Sequence, residues 1–199
     1  MFQNKLKKLI FFAALTLAAQ QSQAVFLMTP SIGYKMQTIK LTDNADGEHS
    51  IKMSDPAYGL KLGFRSASGV GFDIAGDYTT GKSKSTTAGI EAESGYSHIT
   101  AATQLSVSAN VFKIYLGYVL MNEITFKSDT PGNGSKVKGT GYQAGVALSL
   151  TPALSLGAQY QIDQLNQINL ESIGSYQDLK NYYKKVDSQS TTISLAYSF

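Results

Sequence analysis

The chain has 199 residues, 43% of them hydrophobic, with a formal net charge of +3 and neither cysteine nor tryptophan. Without cysteine there is no disulfide framework and no thiolate metal site. Lys5, Lys7 and Lys8 account for the whole positive excess; the remaining basic and acidic residues balance, which excludes an electrostatic nucleic-acid binder.

The chain opens with the basic stretch MFQNKLKK, the apolar run LIFFAALTLAA, and QQSQA, which places the small residues Ser22 and Ala24 at cleavage positions. This is the pattern of a secretory signal peptide over residues 1–24, with an apolar core too short for a stable membrane-spanning helix. Residues 25–199 are then expected to form one domain, and none of its segments approaches the roughly 18 consecutive apolar residues of a helical span.

Eight segments of period two follow in chain order. The first, SIGYKMQTIKL, sets Ile32, Tyr34 and Met36 against Gly33, Lys35 and Gln37. In the second, Tyr58, Leu60, Leu62 and Phe64 alternate with Gly59, Lys61, Gly63 and Arg65. The third sets Phe72, Ile74 and Tyr78 against Gly71, Asp73, Ala75 and Asp77, and the fourth Ile99, Ala101, Thr103 and Leu105 against His98, Thr100, Ala102 and Gln104. The fifth runs Phe112, Ile114, Leu116, Tyr118 and Leu120 against Lys113, Tyr115 and Gly117. Tyr142, Ala144, Val146 and Leu148 mark one face of the sixth, and Leu154, Leu156, Ala158, Tyr160 and Ile162 one face of the seventh. The eighth is TTISLAYSF, with Ile193, Leu195, Tyr197 and Phe199 on one side.

Long and short connections alternate between these segments, from LTDNADGEHSIKMSD and SASGV to TPA and the longest, which runs from Gln164 to Gln189. An even number of antiparallel strands with tight turns at one end and long loops at the other predicts an all-β, up-and-down, eight-stranded transmembrane barrel, with both termini on the periplasmic side. The face opposite the apolar one is rich in Gly, Ser, Thr and Gln, which suits a narrow lumen better than the wetted side of a soluble sheet. Tyr34, Tyr58, Tyr78, Tyr118, Tyr142 and Tyr160 gather at the long-loop ends, and Phe64, Phe72, Phe112 and Phe199 at the short-turn ends, as two interfacial girdles do.

The signal peptide, the eight alternating segments, the SLTPALSLGAQY hairpin and the terminal SLAYSF resemble the small eight-stranded outer-membrane barrels of Gram-negative bacteria, the OmpA-barrel, OmpX and opacity-protein group. The resemblance covers the mature chain as a pattern, and implies the outer membrane as location and its lipid, lipopolysaccharide and the barrel assembly machinery as partners. It further implies that Phe199, with Tyr197 and Leu195 on the same face, forms the assembly signal read by that machinery. The group spans adhesins, anchors, narrow channels for small hydrophobic molecules and lipid A-modifying enzymes, and fold does not choose among them.

Within the lumen, Lys61 and Arg65 lie four apart on one strand, and Asp73 and Asp77 four apart on the next. A register that sets Arg65 opposite Asp73 also sets Lys61 opposite Asp77, which predicts two structural charge pairs filling the interior. Loops 81–95 and 164–189 carry Lys82, Lys84, Tyr182, Tyr183, Lys184 and Lys185 as candidate contacts to lipopolysaccharide or to a host or cell-surface ligand. His98 shares the lumen face with Thr100, away from the lipid, so no catalytic role is expected. No cofactor or metal is expected either: DNADGE has acids without the ligand pattern of a calcium loop. The reading is a structural or surface-interactive barrel.

Overall fold

The computed structural model describes residues 24–45, 47–87, 90–127, 134–170 and 174–199; apart from Ala24, the expected signal segment lies outside them. The chain forms β1 (Val25–Asp43), β2 (Glu48–Arg65), β3 (Val70–Thr87), β4 (Ile90–Ala109), β5 (Phe112–Phe126), β6 (Ser135–Ser149), β7 (Leu154–Leu170), the three-residue β8 (Tyr176–Asp178), a 3-10 turn (Leu179–Asn181) and β9 (Tyr183–Tyr197). Antiparallel pairing runs from β1 in sequence to β7, then to β9, and β9 pairs with β1, so eight long strands close a ring while β8 lies on the upper part of β7. Closure leaves no open sheet edge, the condition for a sheet to cross hydrocarbon.

The apolar residues of the alternation point outward. Ile32, Leu60, Ile74, Ile114, Leu116, Val146 and Ile193 are all exposed. Exposed aliphatic side chains on every strand are unstable in water and stable in lipid. The two girdles run in register around the ring: Tyr58 faces Tyr78 and Tyr118 faces Tyr142 across strands, while Phe64 faces Phe72 at the other end. Two girdle tyrosines direct their hydroxyls toward the long-hairpin end, Tyr34 donating to the Ser54 carbonyl at 2.8 Å and Tyr160 to Gln189 Oε1 at 2.9 Å.

The short turns are set by backbone geometry. Asn110, at φ 52°, closes the two-residue β4–β5 turn, and Gly69, at φ 84°, closes β2–β3, where an added Cβ would also meet the Ser108 carbonyl. Thr151 Oγ1 accepts from the Ala153 and Leu154 amides in the β6–β7 turn.

At the opposite end the hairpins are longer than the alternation suggests. Most of the stretch expected as loop 81–95 is strand, with only residues 88–89 between β3 and β4, and residues 164–189 carry β7 up to Leu170 and begin β9 at Tyr183. Two physical causes hid this. Pro56 interrupts β2, and pairing between β2 and β3 lapses from Met53–Ser83 to Ala57–Thr79 before resuming above it. Bulges also reverse the inside–outside parity: Leu120 and Met121 both face out on β5, and the register shifts between Lys138 and Gly139 where β6 meets β7.

Candidate functional site in the lumen and at its rim

Lys61, Arg65, Asp73 and Asp77 all lie on the lumen side, but not in the expected pairs. The register sets Gly63 opposite Asp73, Gly59 opposite Asp77, Lys61 opposite Ala75 and Arg65 opposite Gly71. The cause is the turn: the Ser66 amide bonds the Val70 carbonyl at 2.8 Å, which fixes a register two residues away from the expected one. A glycine opposite each aspartate makes room for it; a Cβ on Gly63 would collide with the Asp73 carboxylate. Asp73, 6% exposed, instead takes Lys113 Nζ from β5 at 2.8 Å. Lys61 stands over the Tyr115 ring, 4.4 Å from its centroid, and Asp77 accepts a 3.3 Å bond from Thr100 Oγ1. The alternation already placed Lys113 on the lumen face; its partner lay two strands away and depended on two registers that the sequence does not fix.

Above this layer the lumen is filled by buried polar side chains. His98, 2% exposed, shares a 2.7 Å bond with Asn122 Oδ1. Asp163 accepts from Gln161 Nε2 at 2.6 Å and Ser188 Oγ at 3.1 Å, and Ser188 in turn accepts from Gln37 Nε2. Tyr115 donates to Gln159, which donates to Gln143. Lys35 is buried among them. This packing across a narrow ring is a plug rather than an open pore.

Near the long-hairpin end the interior turns apolar, a change the sequence pattern did not reveal. Ile39, Met53, Tyr96, Ile124, Val137, Leu165 and Leu179 form a buried cluster, with Leu179 reaching down from the 3-10 turn. Beside it lies a cavity of about 210 Å³, walled by residues such as Ile51, Phe126, Ile168 and Tyr183, with Ser83, Ser85 and Ser94 on one side. Tyr183 thus corrects its expected place as a surface contact: the register shift at Thr42/Asp43 bulges Lys184 out and turns Tyr183 inward. Tyr182 stays at the surface and bonds Gln177 Oε1 at 2.9 Å; Lys185 pairs with Asp187 at 2.6 Å.

The outer wall above the tyrosine girdle carries lysines. Lys82 and Lys84 are exposed and share Glu93, at 3.8 and 3.5 Å. Lys52 lies directly opposite Lys84 across β2 and β3, and Lys40 is on the neighbouring β1, two rungs above the Thr38–Lys52 pair. Like charges set directly opposite one another repel. The expected KSKS loop is therefore a strand whose lysines project sideways from the barrel wall. Phe199 lies at the far rim: its amide bonds the Met28 carbonyl at 3.0 Å, continuing the β9–β1 ladder, and its ring packs edge-on to Tyr197 at 4.9 Å.

Residues 9–199 match the family model described as outer membrane protein beta-barrel domain. No curated protein sequence matches the chain. In architecture it is similar to Ail, the attachment invasion locus protein of Yersinia pestis, solved with the heparin analogue sucrose octasulfate: 14% identity, 87% of this chain and 99% of that one, TM-score 0.56. It is also similar to OprG of Pseudomonas aeruginosa (15%, covering 90% and 98%, TM-score 0.52) and to Neisserial surface protein A (15%, covering 89% and 100%, TM-score 0.51). At these identities the likeness is one of fold.

Proposed function

We propose that this chain, which belongs to the outer membrane protein beta-barrel domain family and resides in the outer membrane of a Gram-negative cell, is a non-catalytic surface-interaction barrel whose lysine-bearing wall holds polyanionic saccharide. The observation that carries the reading is the outward Lys52–Lys84 pair with Lys40 beside it. An anion bridging them offsets the repulsion between Lys52 and Lys84, which Glu93 on β4 screens only from the Lys84 side. Each lysine stands six residues beyond a girdle tyrosine, Tyr34, Tyr58 or Tyr78, which is about 15 Å along the membrane normal at usual rise and tilt. That is the height of the phosphorylated sugars of lipopolysaccharide, which we take as the primary partner. Ail, a barrel of the same fold, was solved with a sulfated saccharide, so the architecture can present a surface to such a ligand. His98 supports the non-catalytic reading, since it faces the lumen and its Nε2 is engaged by Asn122.

The test is binding of the refolded barrel to intact lipopolysaccharide, dephosphorylated lipopolysaccharide and heparin. Salt-sensitive binding to the intact form that falls at least tenfold in a Lys40→Gln, Lys52→Gln, Lys84→Gln variant is expected. Retention of heparin alone moves the partner from the cell's own lipid to a host saccharide, and binding unaffected by the three substitutions removes the reading.

A second reading, capture of small hydrophobic molecules, draws on the apolar cavity. A wholly apolar cavity of about 150 Å³ is enough to bind benzene. Saturable binding of naphthalene that is lost in Leu179→Glu, a residue outside the barrel sheet, supports it; non-saturable partitioning disposes of it.

A further inference from the structure

At the short-turn end of the lumen, below the polar plug, lies a second cavity, of about 150 Å³. Its charged lining is Lys61, Arg65, Lys113 and Asp73. Lys113 bonds Asp73 at 2.8 Å, and the same carboxylate sits over Gly63, between Lys61 and Arg65, so the three cations of the lining share one acid. The other lumen aspartates, Asp77 and Asp163, stand further along their strands toward the plug, and neither lines the cavity. Hydroxyls complete the wall, among them Ser31, Ser108, Ser155 and Ser194.

Two of these groups are left unsatisfied. Arg65 Nε and Ser108 Oγ are both buried and without a hydrogen-bond partner, and both belong to residues that line the cavity. A buried guanidinium donor without an acceptor is costly, and native structures supply one in nearly every case. Water can serve a hydroxyl, but it leaves the excess of cations over acids in the lining without a counter-charge. An oxyanion satisfies the guanidinium donor, the ammonium and the hydroxyls together, and charge-assisted bonds of this kind are about twice as strong as neutral ones.

We propose that this periplasm-facing vestibule is a binding site for a small tetrahedral oxyanion of the phosphate or sulfate class, held by Arg65 and Lys61 and oriented by Ser108 and its neighbouring hydroxyls. The cavity, of about 150 Å³, has room for one such anion with part of its hydration shell. The site is separate from the outer-wall lysines, on the other face of the sheet and at the other end of the barrel.

The full barrel, refolded in an uncharged detergent, is titrated with inorganic phosphate, with sulfate, and with chloride at matched ionic strength, and its thermal midpoint is followed by the mobility shift of unheated samples. Phosphate and sulfate are expected to raise the midpoint saturably in the low millimolar range and chloride to leave it unchanged. Arg65→Gln is expected to abolish the rise, whereas the outer-wall variant Lys40→Gln, Lys52→Gln, Lys84→Gln keeps it, so this site and the saccharide surface fail or stand separately. Ser155→Asp places a carboxylate in the same cavity; it is expected to raise the midpoint without added anion and to remove the phosphate effect. A rise that chloride reproduces, or that survives in both Arg65→Gln and Ser155→Asp, overturns the proposal.

Discussion

Replacing Asp73 by Asn leaves Lys113 charged in the lumen, beside Lys61 and Arg65 and without its partner. Both members of the pair are well shielded, with side-chain exposures of 17% for Lys113 and 8% for Asp73. Breaking a buried pair from one side costs about 3 to 5 kcal/mol, and the vestibule below it admits solvent, so the lower end of that range applies: about 3 kcal/mol, on the order of a hundredfold in the folding equilibrium. Asp77→Asn loses much less. Its hydrogen bond comes from a threonine hydroxyl at 3.3 Å and contributes about 1 kcal/mol, and its charge acts on Lys61 and Lys35 without a direct ion pair to either. The measurement is reversible urea unfolding in short-chain lipid vesicles, with the folded fraction read from unheated gel mobility because the chain has no tryptophan. Asp73→Asn combined with Lys113→Met is expected to recover most of the loss, since the double variant leaves neither charge behind. Equal losses at Asp73 and Asp77, or no recovery in the double variant, would show that the β3–β5 pair does not organise the lumen.

Deleting Phe199, or replacing it by Asp, is expected to leave export intact and to lower the outer-membrane fraction severalfold, with periplasmic degradation rising; wild-type yield on fractionation would reduce Phe199 to a girdle residue. An epitope inserted near Thr87 or Ser175 is expected to bind antibody on intact cells, and one at Ser68 only after permeabilisation; the reverse labelling would invert the barrel. Gly63→Ala drives a methyl group against the Asp73 carboxylate and the Phe72 backbone and is expected to cost about 1 to 3 kcal/mol in the same unfolding assay, while Ala147→Gly, on the lumen side of β6, changes stability by less.

The barrel was legible because lipid and lumen impose opposite chemistry on alternate residues: Tyr58 to Arg65 states both faces in eight residues, and the alternating connection lengths state how the strands join. What the sequence hid came from small offsets. A two-residue difference in how the turn at 66–69 closes decides whether Arg65 meets Asp73 or Gly71, and nothing in SASGV specifies it. Pro56 reads as the end of a strand, whereas β2 continues through it by giving up its rungs to β3. The bulges at Leu120 and Lys184 each reverse a face, which is why Tyr183 read as a surface residue and the apolar cluster around Ile124 and Leu165 carried no visible period. The lysine wall was legible by composition, but its like-charge pairing needed the register.

The two aromatic girdles are close together. Six residues separate Tyr58 from Phe64 on β2, and six separate Phe112 from Tyr118 on β5. At the usual rise and tilt this is about 15 Å along the membrane normal, against an apolar band of about 25 Å in barrels of this kind. On β1 the outward apolar run reaches from Phe26 to Met36, about the full height of such a band, whereas Val70 and Val107 widen it by only a residue or two on β3 and β4. Lipid beside the shorter strands must therefore thin to meet them, at a fraction of a kcal/mol for each ångström of mismatch, while lipid beside β1 need not. The bilayer around one copy is thus thinned on one side and not on the other, and two copies that turn their shorter sides together would share the thinned lipid at less elastic cost than two apart.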